Sequence, residues 1–272
     1  MPALQEISEA DVLTGTDVPL GFADILREKA DGRLVVTFDD SSSHQRNLDL
    51  AVSLMSALGP VLSICPVDGC WSDLGVRPEA NPMRTHGIGE NPLHIDLVDR
   101  EYPPRYIAFY CVRNDPKAGG ATALSDLRAA VSQLDGEDRA VLSEAAFHYW
   151  TDEGVCGVGD PLPSFPIIPA EAEPGSEAGA VVRFTSKMLP HLRQGELVDP
   201  RVSAVAAAEA FDRLVGIARS ATDTYPLRPG QMMIFDQYRY AHGRMPLGPG
   251  QDDLPDTSRR LLKQAYVSGR RR

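Results

Sequence analysis

The chain has 272 residues, 43% of them hydrophobic and 24% charged, which fits a folded globular protein and excludes a disordered or fibrous one. Lys and Arg number 27 against 38 Asp and Glu, a formal net charge of −11 that argues against a sequence-independent grip on nucleic acid or an anionic membrane surface. No run approaches the roughly 18 apolar residues of a spanning helix, and Met1 to Glu6 carries no basic segment ahead of an apolar one, so a cytoplasmic protein is expected.

In chain order, residues 20–29 read as an amphipathic helix, 32–38 as a short β-branched strand and 47–58 as a second helix. Residues 1–62 are thereby expected to support a core spanning 63–268, all within a single domain over 1–272. From Ser63 onwards, short apolar or alternating runs broken by Gly, Pro, Asn and Asp predict antiparallel strands, notably at 105–112, 145–151, 180–185 and 231–235. Two helices interrupt them. One covers 125–134 with a cap at Ser125-Asp126, and one follows Asp199-Pro200, with Val205, Ala208, Phe211, Val215 and Ala218 on one face. Between the strands, 159–179 is rich in Pro, Gly, Ser and Glu and reads as a lid over a site. Cys65, Cys70, Cys111 and Cys156 form no C-x-x-C pair and read as reduced, packed thiols.

The residues that carry chemistry are His94-Ile95-Asp96 and, much later, His242. On a strand, residues i and i+2 share a face, so His94 and Asp96 would present an imidazole and a carboxylate side by side. With one further histidine they make a facial triad, a ligand set associated with non-haem Fe(II) oxygenases because it leaves three octahedral positions open. A zinc hydrolase could use the same three residues, but no general-base carboxylate stands at a fixed spacing from them.

Four segments occur in order: Asn91-Pro92-Leu93-His94-Ile95-Asp96, Lys117-Ala118-Gly119-Gly120-Ala121-Thr122, Tyr238-Arg239-Tyr240-Ala241-His242-Gly243-Arg244 and Ser258-Arg259-Arg260-Leu261-Leu262-Lys263. This arrangement resembles the taurine-dioxygenase and clavaminate-synthase-like superfamily of Fe(II)/2-oxoglutarate-dependent oxygenases, over roughly residues 80 to 268. The resemblance implies a mainly β fold with flanking helices, a double-stranded β-helix (jelly-roll, cupin-like). It implies His94, Asp96 and His242 as the ligands of Fe(II), with 2-oxoglutarate as cosubstrate and O2 as oxidant. Thr122 matches the position that hydrogen-bonds the cosubstrate.

The family pairs an arginine on the strand after the distal histidine with the distal carboxylate of 2-oxoglutarate, a role suited to a planar guanidinium. Arg259, with Lys263 four residues on, fits that pattern; a shift of one residue would hand the role to Arg260. Hydroxylation of an unactivated C–H bond of an amino-acid-like or small natural-product intermediate is the expected outcome, with succinate and CO2 released. Desaturation, epoxidation and ring closure are alternatives, and a non-catalytic metal-binding jelly-roll is a third reading. Halogenation is disfavoured because Asp96 is present. Candidate substrate contacts are His86, Asn91, Asp99, Arg183 and Arg244, while His44, His148 and His191 read as structural and Trp71 and Trp150 as core. The expected partner is a small molecule, with neither nucleic acid nor membrane involved.

Overall fold

The structure, a computed structural model of the chain, describes residues 4–12, 21–63, 69–150, 158–169 and 181–269. Its strands are β1 (Gln5–Ser8), β2 (Arg33–Thr37), β3 (Ser72–Gly75), β4 (Asn91–His94), β5 (Tyr106–Arg113), β6 (Thr122–Asp126), β7 (Asp223–Tyr225), β8 (Gln231–Asp236), β9 (Tyr240–Arg244) and β10 (Leu261–Val267). They form a six-stranded sheet in the order β1-β2-β8-β5-β10-β3 and a four-stranded sheet in the order β4-β9-β6-β7. Every pairing is antiparallel except β1 with β2. β2 sits between β1 and β8, so the N-terminal segment is woven into the larger sheet.

Side-chain alternation on the central strands explains the layering. Leu34, Val36, Tyr106, Ala108, Tyr110, Met232 and Ile234 pack with Leu48, Ala51, Leu54 and Met55 of the helix His44–Ser56 on the outer face of the large sheet. Their neighbours Val35, Ile107, Phe109, Met233 and Phe235 point the other way and meet Leu124 and Tyr240 of the small sheet. A third cluster joins Leu93, Ala123 and Ala241 to the buried face of the helix Ala204–Ser220. The order of layers is therefore helix, large sheet, small sheet, helix. Among the described residues, no helix is long and apolar enough to cross a membrane.

Several expectations are corrected. The long C-terminal helix begins four residues later than its Asp-Pro signal suggests. Ser203 is its N-cap and accepts from the Ala206 N–H at 3.3 Å, while Asp199 is taken up by Arg201, and Val205 is exposed. Ser203→Ala should cost about 1 kcal/mol of stability, read from urea unfolding; no loss would place the cap elsewhere. The described part of 180–185 is buried but irregular; in 145–150 only Ala146 and Phe147 are buried, and Trp150, read from sequence as core, is 62% exposed. Phe147 bridges Phe165 and Val198, and Thr185 bridges His94, as isolated contacts outside any ladder. In the segment read as a lid, residues 159–169 are anchored, since Phe165 and Ile167 are fully buried. Residues 170–179 lie outside the described residues, as do Cys65 and Cys156.

Candidate metal centre

The antiparallel register of β4 and β9 sets His94 directly opposite His242 and Asn91 opposite Arg244. The two imidazole centroids are 4.4 Å apart. Gly243 permits this approach, because a Cβ there would lie 2.7 Å from the Asn91 carbonyl oxygen. Asp96 arrives by a different route from strand alternation. β4 ends at His94, and the chain turns through Leu97, which has φ 55°. The turn leaves Asp96 Oδ1 3.3 Å from His94 Nε2 and Oδ2 3.5 Å from His242 Nε2. One ligand atom from each residue thus lies within 4.8 Å of the others.

The large sheet holds this turn in place. Gln264 Nε2 and Tyr266 OH, both on β10, donate to Asp96 Oδ2 at 2.7 and 2.9 Å. Gln237 accepts from the Asp96 N–H at 3.0 Å. Arg183, buried and stacked on Phe165, donates to the carbonyls of Val98 and Arg100 at 2.6 and 2.7 Å. Phe109 and Phe235 pack on the His242 ring with centroids 5.5 and 5.3 Å away, which fixes its plane.

The electrostatics suit a cation. His94 Nδ1 donates to the Pro92 carbonyl at 2.7 Å, a bond that leaves the Nε2 lone pair facing Asp96. Burial, reinforced by the charge of Lys187, lowers the His94 pKa. Burial also takes His242 down to about 3, against the attraction of Asp96. Both rings are therefore neutral near pH 7, the form that binds metals. Burial opposes the Asp96 charge, yet His242 and His94 in their protonated forms, with the Tyr266 hydroxyl, hold its carboxyl well below the ordinary range. Two neutral imidazole nitrogens and a carboxylate converging on one point repel one another unless a cation lies among them, so the donor set fits a divalent metal of the non-haem iron type.

The triad opens into a cavity of about 850 Å³ between the sheets, which Asn91, His86, Thr122 and Arg244 also line. Arg244 donates to the Gly87 and Gly89 carbonyls at 2.6 and 2.7 Å, tying that loop to β9. The basic residue that reaches the cavity is Arg260, immediately before β10, not Arg259 or Lys263. Arg260, Leu262, Gln264 and Tyr266 share the inner face. Arg259 binds the exposed Asp256 at 2.6 Å, and Lys263 binds Asp73 of β3 at 2.6 Å. Arg260 is 7% exposed, and among the described residues no carboxylate forms an ion pair with it. Burial, with Arg244 acting in the same direction, pushes its pKa down to about 10, so it remains a cation at neutral pH. Asp99 and Arg183 are corrected as well. Asp99 is fully buried beside Arg100, and the Arg183 guanidinium is spent on backbone carbonyls; neither lines the cavity.

Gln237, Gln264, Tyr266 and Lys187 were not anticipated. Gln264 and Tyr266 follow Arg260 and Leu262 at a spacing of two, which would have revealed them once the register was known.

Comparison with known proteins gives the family and the fold. Residues 26–266 match the family model described as taurine catabolism dioxygenase TauD, TfdA family. The dioxygenase str8 of Strobilurus tenacellus is 28% identical over 208 residues, which are 73% of this chain but 45% of that protein, so the chain spans less than half the length of this relative. A crystal structure of asparagine oxygenase with Fe(II), hydroxyasparagine and succinate has a TM-score of 0.69 at 19% identity, covering 91% of this chain and 78% of the other. The non-heme iron oxygenase OrfP with Fe and alpha-ketoglutaric acid gives 0.67 at 22% identity, covering 93% and 81%. With residues 26–266 matched, most of the chain and all of the strands from β2 onwards except the last residue of β10, the protein belongs to the taurine catabolism dioxygenase TauD, TfdA family.

Proposed function

We propose that the protein is an Fe(II)- and 2-oxoglutarate-dependent oxygenase that hydroxylates an unactivated C–H bond of an amino-acid-type small molecule and releases succinate and CO2. The observation that carries this reading is the union, in one cavity, of the His94–Asp96–His242 triad with the buried guanidinium of Arg260. A hydrolase has no use for that arginine, whereas a dicarboxylic cosubstrate does. The amino-acid substrate class follows the hydroxyasparagine and hydroxyarginine held by the similar structures. The two facing sheets are read as a double-stranded β-helix, with residues 1–62 as its support, in one catalytic unit.

Iron held by His94, Asp96 and His242 would supply oxygen activation and the oxidative decarboxylation of 2-oxoglutarate. The chain does the rest. Arg260 pairs with the distal carboxylate of the cosubstrate, and Thr122, on the same cavity wall, donates its hydroxyl to it. Gln264 and Tyr266 stabilise Asp96 as an anion, and the surrounding phenylalanines keep the His242 ring from turning away.

Gly120 serves Arg260. It has φ +69°, and a Cβ there would lie 2.6 Å from Leu247 Cδ2 and 2.9 Å from Arg260 Cδ. Gly120→Ala should therefore displace the guanidinium stem and raise KM for 2-oxoglutarate about tenfold or more, with a smaller change in kcat. An unchanged KM would detach the Gly-Gly segment from cosubstrate binding. The proposed activity itself is tested by succinate formation from 2-oxoglutarate with Fe(II) and with Zn(II), followed by a screen of amino acids for stimulated release. Succinate with iron alone supports it, and none with either metal refutes it.

A further inference from the structure

Two loops that flank Arg260 meet at one buried carboxylate. Asp115, just after β5, is 4% exposed, and each of its oxygens takes two donors. Oδ1 accepts from the Lys117 N–H and from Gln251 Nε2, each at 3.0 Å. Oδ2 accepts from the Gly119 N–H at 3.0 Å and from the Gly248 N–H at 2.7 Å. These donors come from segments remote in sequence, the Lys-Ala-Gly-Gly loop ahead of β6 and residues 248–251 beyond β9. Backbone bonds extend the seam, from the Gly120 N–H to the Pro246 carbonyl and from the Met245 N–H to the Ala121 carbonyl, both at 2.9 Å. The approach is close enough that a Cβ on Gly119 would overlap the Gly248 nitrogen. Ala118 has φ +60°, a conformation that a residue with a Cβ adopts where its surroundings impose it.

Arg260 rests on this seam from both sides. Its stem lies against Gly120. Behind it, Arg259 Nε donates to the Gln251 carbonyl at 3.3 Å, and the Gln251 side chain is one of the donors to Asp115. Yet among the described residues no hydrogen bond or ion pair joins Asp115 to Arg260, and Asp115 does not line the cavity. Four donors saturate the carboxylate, so its charge reaches Arg260 and Arg244 through space alone. The buried guanidinium thereby gains a counter-charge while its own N–H groups stay available to a ligand.

We propose that Asp115 is the positioning residue of the 2-oxoglutarate site. It binds no ligand itself; by joining the loop ahead of β6 to residues 248–251 it holds the Arg260 guanidinium ready for the distal carboxylate of the cosubstrate. The inference rests on the oxygenase reading above and deepens it.

Asp115→Asn fills the same space but sets an NH2 group against a backbone N–H in either orientation, that of Lys117 or those of Gly119 and Gly248. Calorimetric titration of 2-oxoglutarate into the Zn(II)-loaded variant should show binding at least about tenfold weaker than in the wild type, while the affinity for Zn(II) itself stays within about twofold. With Fe(II), KM for 2-oxoglutarate should rise by a similar factor and kcat at saturating cosubstrate should change less than about threefold, a split that general loosening of the fold would not give. Gln251→Leu removes one donor and leaves three, which keeps the test open if Asp115→Asn fails to fold. It should weaken 2-oxoglutarate by about threefold or more at unchanged Zn(II) affinity. Wild-type 2-oxoglutarate affinity in a folded Asp115→Asn protein or in Gln251→Leu overturns the proposal. So does a parallel fall in Zn(II) affinity, which would make Asp115 a general support of the fold. Failure of the oxygenase reading is seen in the wild type instead, as absence of 2-oxoglutarate binding and of succinate.

Discussion

Replacing His94, Asp96 or His242 singly by alanine is expected to lower iron-dependent succinate formation by more than about a thousand-fold, a loss of about 4 kcal/mol in transition-state stabilisation. Each substitution removes one of three converging donors, and the remaining two cannot hold a divalent ion in a site with this geometry. The fold should survive. The triad residues sit at the cavity wall, while the sheets are held by the apolar clusters on both sides of β5 and β8. Far-UV circular dichroism and an unfolding curve would confirm that activity, not folding, was lost. Tyr266→Phe removes one donor to Asp96 and should cost less, about 10- to 100-fold in iron affinity. Near-normal turnover in any of the three alanine variants at saturating iron would remove that residue from the ligand set.

The second large effect separates two adjacent arginines. Arg260→Ala should raise the 2-oxoglutarate requirement about 30-fold to several thousand-fold, corresponding to the roughly 2–5 kcal/mol lost when a buried charge-assisted pair is broken. Arg259→Ala removes a pair with Asp256, whose side chain is 91% exposed, and such surface pairs contribute about 0–1 kcal/mol. It should leave KM for the cosubstrate within a few-fold of the wild type, about what such a pair contributes. Steady-state kinetics with 2-oxoglutarate varied decides the point. The opposite ranking would mean that the inner face of β10 has been assigned one residue out.

That register shows where sequence alone stops. Arg259 and Lys263 fit the inward pattern as well as Arg260 does, and nothing in Leu261-Leu262-Lys263-Gln264-Ala265-Tyr266-Val267 marks one face as buried. Both faces are apolar because β10 is an interior strand: Ala265 and Val267 enter the outer cluster, while Leu262 and Tyr266 enter the core between the sheets. The ladder to β5 is also irregular between Leu261 and Leu262, so alternation cannot be carried across the strand start. The metal triad was legible because His94, Asp96 and His242 lie in local motifs whose chemistry is specific, although the route by which Asp96 reaches the site, a turn beyond β4, was not. The runs at 145–151 and 180–185 misled for another reason. A buried apolar stretch reads the same whether its backbone joins a ladder or, like Phe147, meets its neighbours through single bridges. Lys187 left no signal, since only the tertiary structure brings its turn against β4 and Ile95, through contacts made by Phe184, Thr185 and Ser186.

The most direct measurement of the central claim is the fate of isotopically labelled dioxygen in a reaction containing the protein, Fe(II) and 2-oxoglutarate. A 2-oxoglutarate-dependent oxygenase should yield succinate carrying one oxygen atom from the labelled gas, lost in Asp96→Ala and severely reduced in Arg260→Ala. Succinate free of label, or labelled succinate formed equally well by the Asp96→Ala protein, would contradict the assignment of this cavity as the oxygenase site.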